Sequence, residues 1–150
     1  MSNINFWLDQ EKKLVNPDLF SEVAKEWAER IKNEGLENNN KNKITQIRKF
    51  YDEVIFFYDQ VKTADEENFQ RLLPFIKMIR AKVYYAKGRD LITPAFQEFI
   101  EKCLDEVKTK EDFKVFMNFF EAFMGFYRYF EETKKSKTFR DQKRENQPRR

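Results

Sequence analysis

The chain has 150 residues, 37% of them charged and 17 of them Phe, with 3 Gly, 4 Pro, one Cys and no His. Without histidine it lacks the commonest general base and the commonest metal ligand, which excludes any histidine-dependent nuclease or phosphoesterase site. The net charge of +3 is unevenly laid out: residues 134–150 hold 8 Lys and Arg against 2 Asp and Glu, a net +6 that leaves −3 on the first 133.

Few turn-formers among many Glu, Lys and Phe predict few, long helices in an all-α protein, and 150 residues is one domain's worth of core. The start, MSNINFWLDQEKK, has no basic region followed by a long apolar run, so no secretory signal is read there. Charges interrupt every hydrophobic run short of the roughly 18 residues a membrane helix needs. A cytosolic protein is expected.

Asn16-Pro17 is a cap and first-turn signal, after which Phe20, Val23, Ala24, Trp27 and Ile31 recur at helical spacing up to Gly35. The polar, aperiodic EGLENNNKNK then predicts a surface linker at 36–43, separating an N-terminal arm (1–35) from a core bundle (44–133) within one domain, 1–133. From Ile44 the stripe Ile47, Tyr51, Val54, Ile55, Tyr58 and Val61 marks a second helix. Thr63 and Glu66 make a capping-box pair for a third, in which Pro74 should kink or restart the helix before Ile76, Ile79, Val83 and Ala86 carry it to Gly88.

Thr93-Pro94 opens a fourth helix with Phe96, Phe99, Ile100, Cys103, Leu104 and Val107 inward, and Thr109 with Asp112 opens a fifth, about Lys110 to Glu132. On that last helix Phe113, Phe116, Met117, Phe120, Phe123, Met124 and Tyr127 fill one face while Phe119, Phe126 and Phe130 widen it. So broad an apolar surface must be covered on more than one side, either by running through the bundle centre or by lending a face to another subunit. The expectation is a bundle of about five helices followed by a basic tail, 134–150, of the kind that contacts polyanions.

The segment KMIRAKVYYAKGR carries five basic residues and no acid. At 100° per residue Lys77, Arg80, Tyr84 and Lys87 share one sector, a ridge suited to phosphate contact with an aromatic for stacking, whereas Lys82 and Arg89 point elsewhere. The plainer reading is a solvated helix face. Arg48 and Lys49, in the first turn of the second helix, stand where acids are the usual choice. Cys103 reads as a buried structural thiol, and Asp65, Glu66 and Glu67 as ordinary helix-start acids. No phosphate loop, nucleophile elbow or zinc spacing is present in the sequence, so no catalytic residue, metal, cofactor or small-molecule substrate is assigned.

Taken in order, KITQIRKFYDEV, IKMIRAKVYYAKGRD, FIEKCLDEV and FFEAFMGFYRYF resemble the small helical subunit of the type III-A CRISPR effector, the Csm complex. The matching positions are Thr45, Gln46, Ile47, Arg48 and Lys49, then Arg80, Tyr85, Ala86, Gly88 and Arg89, then Glu121, Ala122, Phe126 and Tyr129. The likeness spans about Lys43 to Phe130 and is only loose before Asn42. Phe126 stands where the family pattern favours tyrosine, and the chain runs on where the family's last helix commonly ends. The resemblance implies a five-helix bundle that stacks head to tail in several copies beside the other subunits, in the cytoplasm of a prokaryote. It also implies contact with target RNA paired to guide RNA, and no nuclease activity of its own. Carried over by position, the RNA contacts are Arg48, Lys49, Arg80 and Arg89, with Lys77 and Lys87 added from the ridge. The alternative is a helical adaptor that oligomerises through its Phe-rich last helix without touching nucleic acid.

Overall fold

The computed structural model describes residues 3–134, so the basic tail beyond Lys134 lies outside the described residues. A short antiparallel ribbon, β1 (Trp7–Asp9) and β2 (Leu14–Val15), precedes a π-helical turn at Leu19–Val23 that runs into α1 (Ala24–Glu37). Then follow α2 (Ile44–Val61), α3 (Glu66–Lys77), α4 (Ile79–Gly88), α5 (Pro94–Glu106) and α6 (Lys110–Thr133). The protein is an all-α bundle in which α3 and α4 are the two halves of the predicted third helix, divided at Met78, four residues past Pro74.

Helix α6 is the central element, packed between α1 and α2. Phe113, Phe116, Phe119, Phe120, Phe123 and Tyr127 are all fully buried, Phe126 half so. Their rings interlock with α5: Phe99 stacks on Phe123 at 4.5 Å between centroids, and Phe123 on Tyr127 at 5.4 Å. Each such ring stabilises the fold by roughly 1.5–3 kcal/mol through burial, with about 0.5–1.5 kcal/mol more from edge and offset contacts. Of the two ways to cover this helix, the bundle centre is the one realised. The capping box at its start forms as expected, Thr109 Oγ1 accepting from the Asp112 N–H at 3.2 Å and Asp112 Oδ2 from the Thr109 N–H at 2.9 Å.

Three local expectations are corrected. Thr63 and Glu66 do not cap α3; Asp65 does, accepting from the Asn68 N–H at 2.8 Å, because its carboxylate sits on the extended residue directly before the helix. Phe20 is not in the core stripe of the first helix. The Val23 N–H bonds the Asp18 carbonyl at 3.0 Å, the five-residue spacing of a π turn, so Leu19 is carried into the core and Phe20 out. On α2 the buried stripe is Ile47, Phe50, Val54, Phe57 and Val61, with Tyr51, Ile55 and Tyr58 on its half-buried flank.

Helix α1, read from the sequence as an arm beyond a linker, packs along α6 as part of the same core. Trp27 meets Phe99 at 5.8 Å, and the buried Lys32 ammonium pairs with Glu131 above the Tyr127 ring. The stretch 36–43 returns tightly rather than spanning a gap. Asn39, Asn40 and Asn42 adopt left-handed φ of 57–59°, which asparagine tolerates better than most residues. Gly35 lets this return happen, because a Cβ there would overlap the Lys41 carbonyl oxygen.

Candidate nucleic-acid interface

Lys77 at the end of α3 and Arg80 and Tyr84 on α4 are partnered by α5 while staying partly open to solvent. Arg80 pairs with Asp105 at 2.7 Å and lies 3.9 Å from Glu101, whose carboxylate also accepts from the Tyr84 hydroxyl at 2.8 Å. The Lys77 ammonium donates to the Leu104 carbonyl at the C-terminal end of α5, where it also complements the helix dipole. Partial burial lowers the Lys77 pKa, with Asp105 opposing and Arg80 reinforcing the shift. On the other side of α4, Lys82 pairs with Glu53 of α2. Thus Arg80 and Tyr84 tie α4 to α5, Lys77 ties the end of α3 to α5, and Lys82 ties α4 to α2.

The remaining predicted cations gather elsewhere. Arg48 and Lys49 are exposed on α2, and Lys87 and Arg89 sit at the end of α4, the latter exposed with its guanidinium 5.7 Å from the Tyr85 ring. None of the four has an ion-pair partner among the described carboxylates. The start of α2 and the end of α4 are held together by main chain, since the Asn42 N–H donates to the Leu91 carbonyl at 3.1 Å. Lys41 and Asp90 span the same junction at 3.5 Å.

Two residues missed in the sequence join this corner. Lys43 is the N-cap residue of α2, exposed and without a side-chain capping bond, and the first turn after it contains no acid. Tyr85 is 67% exposed, and unlike Tyr84, whose hydroxyl is held by Glu101, its ring lies beside the Arg89 guanidinium. The signal for Lys43 was present: a lysine at the capping position leaves the helix N-terminus uncapped and positive. The corner therefore combines point charges, one planar guanidinium, free helix N–H groups and an aromatic face. This chemistry matches a phosphodiester backbone.

No cluster of three or more His, Cys, Asp or Glu able to hold a metal ion occurs among the described residues. The thiol of Cys103 is fully buried, and burial pushes its pKa well up, so the reactive thiolate is disfavoured. No helix among the described residues is long and apolar enough to cross a membrane.

A family model described as Csm2 Type III-A matches residues 15–133, from the second strand of the ribbon to the last residue of α6. The chain belongs to the Csm2 type III-A family. No curated protein and no solved structure matches it. Membership makes the chain a subunit of the type III-A CRISPR effector complex, with the other subunits of that complex as partners. The Csm2 match takes in α1 as well as the later helices, in keeping with the packing of α1 into the common core.

Proposed function

We propose that this Csm2-family chain is a non-catalytic RNA-binding subunit of the type III-A complex. It acts in the prokaryotic cytoplasm, contacts target RNA paired with guide RNA, and stacks in several copies. The observation that carries this reading is the corner of unneutralised cations where α2 begins and α4 ends. Arg48, Lys49, Lys87 and Arg89 are its phosphate contacts, joined by Lys43, with Tyr85 offering a face for a sugar or base. Lys77 and Arg80 act at one remove, holding the end of α3 and α4 against α5 so that the corner keeps its shape. Recognition of this kind follows backbone shape and charge, which suits a subunit that must accept any guide sequence.

Stacking is supported by large apolar side chains that the fold leaves exposed in two parts of the chain. Leu8, Leu14 and Phe20 lie on the N-terminal segment, and Phe56, Phe75 and Met78 on the α2 to α4 side. Apolar surface in different parts of one chain suits a head-to-tail contact that propagates. The adaptor reading through the last helix is not favoured, because most rings of α6 are consumed in the chain's own core, leaving Tyr129 exposed and Phe126 half-buried.

A salt titration of RNA binding by the full chain tests the corner. For a single strand, every phosphate that the protein ceases to neutralise lowers the slope of log affinity against log salt by about 0.7. Replacing Arg48, Lys49 and Arg89 together with Ala should therefore flatten the slope by about 2. Arg80→Ala should leave it unchanged while lowering the melting temperature. A triple variant that binds with the parent's slope and affinity sinks the assignment.

A further inference from the structure

Arg128 is exposed near the end of α6 and has no ion-pair or hydrogen-bond partner among the described residues. Glu121 and Glu132 share its stripe of the helix without pairing with it, and Glu131 is taken by Lys32. Three contacts fix where this stripe lies. The Lys110 ammonium reaches the Ala64 carbonyl just beyond the end of α2, the Tyr51 ring lies 5.4 Å from Phe120, and the Tyr127 hydroxyl donates to the Asn42 carbonyl just before α2 begins. Helices α2 and α6 are therefore antiparallel, with the last turns of α6 beside the first turn of α2. Glu121 faces α2 at Tyr51, whose pKa is raised by burial and then by the charges of Glu121 and Asp52, with Arg48 opposing. Seven residues on, Arg128 falls on nearly the same line as Glu121, about 10 Å further toward the start of α2.

The cations of α2 divide between its two flanks. Tyr51 lies toward α6, and Glu53, paired with Lys82, lies toward α4. Arg48, three residues before Tyr51, continues the α6 flank, and Lys49, four before Glu53, continues the α4 flank. Beyond Lys49 stand Lys87 and Arg89 at the end of α4. Beyond Arg48 stands Arg128. A row of cations thus crosses the first turn of α2 from one neighbouring helix to the other.

We propose that Arg128 is a further phosphate contact, and that the nucleic-acid strand crosses the start of α2 from the end of α4 to α6. This rests on the reading of the α2–α4 corner as an RNA contact. The planar guanidinium of Arg128 suits a phosphate, to which it can donate two parallel hydrogen bonds. Two interhelical spacings of 8–10 Å make the crossing roughly 20 Å wide, so Arg89 and Arg128 hold different phosphates and their losses should add.

The test is a salt titration of oligouridylate binding by the full chain. Arg128→Ala should lower the slope of log affinity against log salt by about 0.7, and Arg128→Ala with Arg89→Ala by about 1.4. The single variant should then lose about 2.5-fold less affinity than the parent between about 50 and about 200 mM salt. Its melting temperature should not move, and Arg128→Lys should keep the parent's slope. Lys25→Ala, which removes an exposed cation from α1, should also keep it. A parental slope in Arg128→Ala while Arg89→Ala lowers it overturns the crossing and leaves the corner standing. An equal fall in Lys25→Ala overturns it too, because net charge would then be the cause. If Arg89→Ala itself keeps the parent's slope, the corner reading fails and the crossing falls with it.

Discussion

Asn42 and Thr93 bind each other reciprocally: the Asn42 amide donates to Thr93 Oγ1 at 2.8 Å, and the Thr93 N–H donates to Asn42 Oδ1 at 2.9 Å. Asn42 is fully buried, and every polar group it has is used. Its amide also reaches the Ile31 carbonyl at 3.0 Å, its N–H the Leu91 carbonyl, and its own carbonyl accepts from the Tyr127 hydroxyl. One residue thus joins the middle of α1, the loop after α4, the start of α5 and the C-terminal third of α6, and it sets the two helix ends of the cationic corner beside each other. Asn42→Ala would orphan the Thr93 N–H, remove the donor to Thr93 Oγ1 and place Ala at φ 59°. At about 1–3 kcal/mol for each buried unpaired group, a loss of about 3 kcal/mol or more is expected in urea unfolding. A loss below about 1 kcal/mol would show that the site relaxes or admits water.

The N-terminal ribbon is fixed by one side-chain bond. Trp7 Nε1 donates to Asp112 Oδ1 at 2.7 Å, while Asp112 Oδ2 accepts from the N–H groups of Lys108 and Thr109 at 3.0 and 2.9 Å. Asp112→Ala should cost about 2–4 kcal/mol, since it removes a cap and a buried charged acceptor together. Trp7→Phe should cost less. A double-mutant cycle should give a coupling of about 1 kcal/mol or more, and additive effects would mean the ribbon is held by its apolar contacts alone.

Two glycines should respond to alanine with opposite signs. At Gly35 an added Cβ would overlap the Lys41 carbonyl oxygen, which is main chain and cannot swing aside. Gly35→Ala should lower stability by about 2 kcal/mol or more. Gly125, within exposed α6 surface, has open space for a Cβ and an ordinary helical backbone. Gly125→Ala should raise stability by up to about 1 kcal/mol. Thermal melts of the two variants check both signs.

The helices with both a cap and a clean period were legible. Thr109 with Asp112 and the Phe face announced α6, and Thr93-Pro94 with Phe96 through Val107 announced α5. The π turn was not, because Phe20 fits an α period better than Leu19 does and only the i+5 hydrogen bond reveals the inserted residue. The ribbon was too short, at three and two residues, to leave a pattern. The Asn-rich run is solvated as read at Asn38, Asn39 and Asn40, but its left-handed turns were not legible, and Asn42 is an interior hub. At the site the one-helix projection treated Lys77, Arg80 and Tyr84 as one ridge, although the helix is divided at Met78 between Lys77 and Arg80. It could not show that Glu101 and Asp105, on another helix, would face them.

Glu106 supplies a pH dependence. Burial raises its pKa above the usual 4.5, with Asp112 and Asp105 adding to the shift and Lys108 opposing it. The folded state thus holds the proton to higher pH than the unfolded chain does. Its contribution is fully present below pH 4.5 and declines as pH rises through the raised folded value. At neutral pH the ionised carboxylate is a cost. Glu106→Gln should melt above the parent at pH 7, and the gap should close as pH falls below 4.5. A gap independent of pH would mean that packing, not charge, decides this position.

The RNA corner is tested most directly by crosslinking target RNA to the assembled type III-A complex and mapping the modified peptides. The corner predicts crosslinks in the peptides containing Lys43 to Lys49 and Tyr85 to Arg89, and their disappearance when Arg48, Lys49 and Arg89 are Ala while the variant subunit still assembles. Crosslinks confined to other helices of this chain, or none from a subunit that is present in the complex, would contradict it.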